Sequence, residues 1–168
     1  MSTNPAHDRT RRPGGTPTGG QFAPEAHAEP EVTLGNPPPG SESAPEIDGR
    51  GTTRWRNADG LLHRTDGPAI VTAEGDKGWF VNGKRHRTDG PAREWPDGTR
   101  EWWVNGRRHR DDGPAIERAN GYRAWFLHGW RHRTDGPAVE RADGARRWWV
   151  DNQELTEEEF HSRFPGVG

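Results

Sequence analysis

The chain contains no cysteine, which excludes a disulfide framework and any thiolate metal site. Only 27% of its 168 residues are hydrophobic, too few for a thick apolar core over the whole length. No apolar run approaches the roughly 20 residues that a membrane-spanning helix needs, and the N-terminal stretch lacks the apolar segment of a signal peptide. With the missing cysteines, this points to a cytoplasmic protein with no membrane span. Lysine is nearly absent: 22 of the 24 basic residues are Arg. Tyrosine occurs once, whereas Trp occurs nine times, always between Trp55 and Trp149.

What the sequence does contain is a phrase repeated at a fixed interval. His63-Arg64-Thr65-Asp66-Gly67-Pro68-Ala69 returns at His86 to Ala92, at His109 to Ala115 (with Asp111 for Thr) and at His132 to Ala138, each 23 residues after the last. A period of this size marks a repeat array, in which each unit buries its apolar face against its neighbours. Three regions follow. Residues 1–50, rich in Pro and Gly with apolar residues occurring singly, read as a disordered leader. Residues 51–152 form four to five repeat units, and residues 153–168 a capping helix and tail. Charge is uneven: the leader carries four Arg against seven acids, residues 51–150 carry 19 basic groups against 14 acids, and residues 151–168 one Arg against five acids. A surplus of five over a hundred residues is weak support for a polyanion partner, and a solvated surface is the better explanation.

Within a unit, turn dipeptides separate short strands. Asn82-Gly83, Asn105-Gly106, Asp97-Gly98, Asn120-Gly121 and Asp143-Gly144 are tight-turn signals, because a type I′ turn needs positive φ at both central positions. His128-Gly129 and Asp151-Asn152 are degenerate forms. The expected fold is all-β, an antiparallel meander of eight to ten strands. Two-residue Asp-Gly loops would place Trp95 opposite Arg100, and Ala92 opposite Trp103. One face would then hold Trp79, Trp102, Trp125 and Trp148 with Ile70, Ile116 and Val139, and would be the better core. The other would hold Phe80, Trp103, Phe126 and Trp149 beside alanines and glutamates. Leu155 to Phe164 reads as a short helix capped by Thr156 and Glu159, suited to covering the last strand's open edge.

Trp-Val-Asn-Gly-Arg-Arg-His at 103–109 and Trp95-Pro96-Asp97-Gly98 resemble the MORN repeat, which also runs to about 23 residues. The resemblance covers roughly residues 53–152. It departs where Arg87, Arg110 and Arg133 follow the histidines, where an Asp-Gly-Pro-Ala insert replaces a Gly, and where a Tyr-x-Gly before the Trp is missing. It implies stacked hairpins, dimerisation and roles in protein interaction or membrane association. Residues 15–34 resemble a leader found on actinobacterial and actinophage proteins, which implies a phage or mobile-element context.

The His series invites a metal reading, but equivalent positions in successive hairpins lie about 9.6 Å apart, too far to share one zinc ion. His63, Asp66, His86, Asp89, His109, Asp112, His132 and Asp135 are therefore expected to hold turns, each His meeting the Asp of its own repeat or the Asp accepting backbone N–H groups. Four equivalent copies argue for a scaffold rather than one catalytic constellation, so no enzyme activity, no metal and no cofactor is expected. The expected function is a non-catalytic scaffold binding a protein partner or a second copy, with Phe80, Trp103, Phe126 and Trp149 as anchors. The alternative is a glycan or nucleic-acid module using Trp102, Trp125 and Trp148 with Arg100, Arg123 and Arg146.

Overall fold

A computed structural model describes residues 43–166; residues 1–42 of the expected leader lie outside the described residues. Each repeat contributes two hairpins, one to each of two parallel rows. The first row is an eleven-stranded antiparallel meander in which hairpins such as Ile70–Val71 with Lys77–Gly78, and Arg93–Glu94 with Arg100–Glu101, pair with their neighbours in chain order. The second row holds the hairpins Phe80–Val81 with Lys84–Arg85, Trp103–Val104 with Arg107–Arg108, and Phe126–Leu127 with Trp130–Arg131. Two backbone bonds join each of these to the next, as from Gly106 N–H to the Arg85 carbonyl at 2.8 Å and from Arg87 N–H to the Trp103 carbonyl at 3.0 Å. In the last repeat one strand, Arg146–Val150, runs through both rows. The first row begins at Glu46–Ile47, paired with Thr53–Arg54. Residues 43–50, assigned to the leader from sequence, thus belong to the array.

The two turn families differ. In the second row Asn82, Asn105, His128 and Asp151 have φ of 48–52°, and the residue after each is also positive, as a two-residue type I′ turn requires. The degenerate His128-Gly129 and Asp151-Asn152 pairs adopt the same turn. The first-row loops do not. At Asp97-Gly98 only Gly98 has positive φ, Trp95 N–H donates to the Thr99 carbonyl and Gly98 N–H to that of Trp95, both at 3.0 Å. This is a three-residue loop with the left-handed residue last, the other common hairpin solution. Arg118 to Tyr122 and Arg141 to Ala145 repeat it.

One extra loop residue changes the register, and a one-residue slip moves side chains to the opposite face. Arg93 pairs with Glu101 and Glu94 with Arg100, not Trp95 with Arg100. Ile70, Ile116 and Val139 consequently leave the Trp102 face. They stand opposite Gly78, Ala124 and Arg147, on the side of the Phe126 row, where Ile116, Ala124, Val139 and Phe126 form the buried cluster. Most of the buried cluster is therefore on the face read from sequence as the poorer core, with Ala115 joining it and Trp102 packing against it. The other cross-strand row alternates in charge over seven strands: Lys77, Glu94, Arg100, Glu117, Arg123, Glu140 and Arg146. Opposite charges on directly paired residues stabilise a sheet.

The helix Glu157–Arg163 closes the array. Thr156 is its N-cap, with a complete capping box to Glu159, and three acids fill its first turn, where they complement the helix dipole. Phe160 is fully buried with its ring 6.5 Å from that of Trp148.

Candidate functional site: the loop clefts

The chain crosses from the second row back to the first through the His-Arg-x-Asp-Gly-Pro-Ala segment. The arginine organises it. In the third copy Arg110 donates from Nε to Asp112 (2.8 Å) and from Nη1 to the Pro114 carbonyl (3.3 Å) and Glu117 (3.1 Å), while its guanidinium carbon lies 4.0 Å from the centre of the Trp102 ring. Arg87 over Trp79 and Arg133 over Trp125 make the same set. Arg64 bonds Asp66 and covers Trp55. The glycine follows from this packing: a Cβ at Gly113 would lie 3.0 Å from the Arg110 guanidinium carbon. The arginine hydrogen bond is the first cause holding Asp66, Asp89 and Asp112 below the ordinary carboxylate value.

The histidines do not meet the aspartates of their Asp-Gly-Pro turns. Each Nδ1 accepts the N–H that opens the type I′ turn of the next repeat: His63 from Asn82, His86 from Asn105, His109 from His128 and His132 from Asp151, at 3.1–3.2 Å. These bonds span 19 residues and stitch neighbouring units together. With Nδ1 accepting, Nε2 is the nitrogen left to donate, as at His109, whose Nε2 lies 3.3 Å from Asp111; His132 differs, because its Nδ1 is also 2.8 Å from the Asp151 carboxylate. The bonding expected within a repeat is thus replaced by His to the next turn and Asp to the preceding Arg.

The four expected anchors form a different object. Arg85, Arg108 and Arg131 are interleaved with them, so that Phe80, Arg85, Trp103, Arg108, Phe126, Arg131 and Trp149 follow one another with cation-to-ring distances of 4.8–5.6 Å. Both faces of Trp103 and Phe126 are covered by guanidinium groups, and Phe126 is only 7% exposed. This row is a spine of the fold rather than a set of free rings. Burial, then the nearby Arg93, pushes Arg85 below its ordinary value, with Glu101 opposing. Glu101 is itself buried and accepts from Trp103 Nε1 at 2.9 Å and Arg108 at 3.3 Å. The alternative set is brought together only in part. Trp102 and Trp125 line clefts, Trp148 and Arg146 together line a further one beside the helix, and Arg100 and Arg123 are exposed on the charge-alternating row without lining the Trp102 or Trp125 cleft.

On the Trp102 side, successive crossover loops leave a cleft between them. Trp79 and Val81 line one of about 310 Å³, Trp102 and Val104 one of about 640 Å³, and Trp125 and Leu127 one of about 730 Å³. Neighbouring clefts share a loop as their common wall. In a fourth, of about 480 Å³ beside Trp148, Glu157 and His161 of the helix stand where the next loop would be. Sequence reasoning missed these loops as walls and missed the arginines that hold them. The signal was present, since Arg64, Arg87, Arg110 and Arg133 repeat as strictly as the histidines beside them.

Among the described residues no group of three or more His, Asp or Glu is placed to hold a metal ion, and no helix is long and apolar enough to cross a membrane. No protein-family model, no curated protein and no solved structure matches the chain.

Proposed function

We propose that this protein is a non-catalytic repeat scaffold of MORN type that binds a protein partner. The observation that carries this reading is the row of recurring clefts, of unequal volume but each lined by a loop Arg, a loop Asp and a Trp. A catalytic site is one constellation in one pocket, with a nucleophile, acid or base singled out; here each cleft repeats its neighbour, and multiplied shallow sites suit recognition of an elongated partner. The clefted face takes over the binding role from the Phe80, Trp103, Phe126 and Trp149 row, whose two central rings each carry two guanidinium groups, whereas each cleft Trp carries one, that of its loop arginine.

The test is capture of partners by the full chain from host lysate, with and without nuclease. A nuclease-resistant protein partner supports the scaffold reading. Recovery of nucleic acid alone, or quenching of Trp fluorescence by soluble sugars, would instead favour a ligand-binding module on Trp102 and Trp125. Self-association, read by sedimentation, would make the partner a second copy.

A further inference from the structure

We propose that the clefted face is a docking track for a proline-rich, Arg- or Lys-bearing protein segment in the polyproline II conformation, one helical turn per repeat. This rests on the scaffold reading and names the chemistry of the partner.

The first argument is period. Successive clefts are two strands apart, about 9.6 Å. A polyproline II helix has three residues per turn and rises 3.1 Å per residue, a pitch of about 9.3 Å. The mismatch is about 0.3 Å per cleft, so every third side chain of such a ligand falls over a cleft along the array. An α-helix repeats every 5.4 Å, and a β-strand returns a side chain to one face about every 6.7 Å; both run out of phase within one repeat. The second argument is lining. Three clefts are lined by a Trp, a Val or Leu and the Gly of a loop, with its Pro in the two larger ones. Each Trp carries its loop arginine at 4.0–4.2 Å, and the rest of the ring contributes to an aromatic-lined groove of the kind in which Pro-rich segments dock.

The third argument is charge. At the loop tips Asp66, Asp89, Asp112 and Asp135 have side chains 72–83% exposed, whereas the paired Arg64, Arg87, Arg110 and Arg133 are 20–22% exposed. Asp111 adds a further acid, 81% exposed. The charge met by a chain lying over the tips is negative and recurs once per repeat, complementary to a ligand with one cation per three residues.

The test titrates the full chain with synthetic peptides, read by Trp fluorescence and calorimetry. The probe is (Pro-Ala-Arg)5, compared with a peptide of the same composition scrambled to break the three-residue period, and with (Pro-Ala-Glu)5. Saturable binding of the first, at least tenfold tighter than either control, is expected. Thr88 and Thr134 are exposed on cleft walls. The double variant Thr88→Lys/Thr134→Lys should weaken binding at least tenfold with an unchanged thermal melt. Asp111→Thr, which restores the residue of the other repeats, should weaken it two- to fivefold. Equal binding of the scrambled or acidic peptide, no binding of the first, or indifference to the double variant would each overturn the track. A nuclease-resistant partner from lysate that is retained equally by Thr88→Lys/Thr134→Lys would overturn the track while leaving the scaffold reading standing. Capture of nucleic acid alone would sink both.

Discussion

Replacing the stitching histidines by phenylalanine removes the Nδ1 acceptor and keeps a ring of similar shape. The structure gives the expected cost site by site. In His86→Phe the Asn105 N–H loses its partner, but Asn105 is exposed and water replaces the bond, so the loss is about 1 kcal/mol, the net worth of an ordinary hydrogen bond. His109→Phe should cost the same, and the substituted ring retains a stacking surface for His128, now 4.5 Å from His109. His63 is 5% exposed, and an apolar ring there shields the turn from water, so its loss should approach about 2 kcal/mol. The sites lie about 9.6 Å apart, far enough to add. His132→Phe removes the same kind of bond, from the exposed Asp151, for about 1 kcal/mol more, so the fourfold variant should lose about 5 kcal/mol, the lower end of the whole stability of a domain. Urea unfolding followed by Trp fluorescence measures this, the single variants shifting the midpoint without changing the slope. If His86→Phe and His109→Phe leave the midpoint where it was, the inter-repeat bonds contribute nothing and the account of why these histidines repeat is wrong.

Gly78→Ala should destabilise by about 1–3 kcal/mol, because the new methyl would lie 2.8 Å from Ile70 and 2.9 Å from the Phe80 ring; thermal melts decide it, and neutrality would mean that the two rows move apart easily. Phe160→Ala should cost about 3–5 kcal/mol and expose the last strand, read as a lower midpoint and concentration-dependent aggregation; a monomeric variant of full stability would refute the capping role. Acid should weaken the array in a defined direction. Asp66, Asp89 and Asp112 are held below their ordinary value of 3.8, first by the Arg hydrogen bond. A lowered folded value makes the contribution fully present above about pH 4 and lost as pH falls through the folded values. The triple Asp→Asn variant should flatten that fall, and an unchanged acid profile would show that the loops do not depend on these ions.

The repeat, the turns at Asn82-Gly83 and Asn105-Gly106 and the capped helix were legible because each rests on local chemistry, whereas Asn120-Gly121 lies in a three-residue loop in which only Gly121 has positive φ. Asn and Gly tolerate positive φ wherever they stand, and the Thr156–Glu159 box needs only four consecutive residues. The register was not legible. Asp-Gly serves equally as a two-residue turn and as the end of a three-residue loop, and the choice between them decides which face each of Ile70, Ile116 and Val139 occupies. The histidine partners were hidden for a different reason. A bond from His86 to Asn105 joins residues that only the array brings together, whereas the within-repeat Asp was nearer in sequence and chemically plausible. The clefts needed both pieces, since their walls are loops held by one repeat's Arg and their floors are rings placed by the register.

The arginine surplus is answered by the same geometry, and it carries a prediction that separates two kinds of buried cation. Seven of the 22 Arg are built into the array, four clamping loops and three interleaved with rings, so the positive balance of residues 51–150 reports construction more than attraction to a polyanion. Arg108 and Arg131 occupy equivalent places in that spine, and each has a buried Nε without a partner. They differ in one respect: Arg108 neutralises the buried Glu101 at 3.3 Å, whereas Arg131 is held by the Phe126 and Trp149 rings. Arg131→Met surrenders a cation–π contact of about 1 kcal/mol but relieves an unsatisfied donor of similar cost and fills the slot with a flexible apolar chain, so its stability should stay within about 1 kcal/mol of the parent. Arg108→Met leaves a carboxylate that is 7% exposed without its ion-pair partner, for which the cost is about 3 kcal/mol or more. Adding Glu101→Ala, the residue that the next repeat carries at Ala124, should recover most of that loss. Equal effects of the two arginine substitutions, or no recovery in the double variant, would mean that the spine is held by ring stacking alone and that the Glu101 pair is incidental to it.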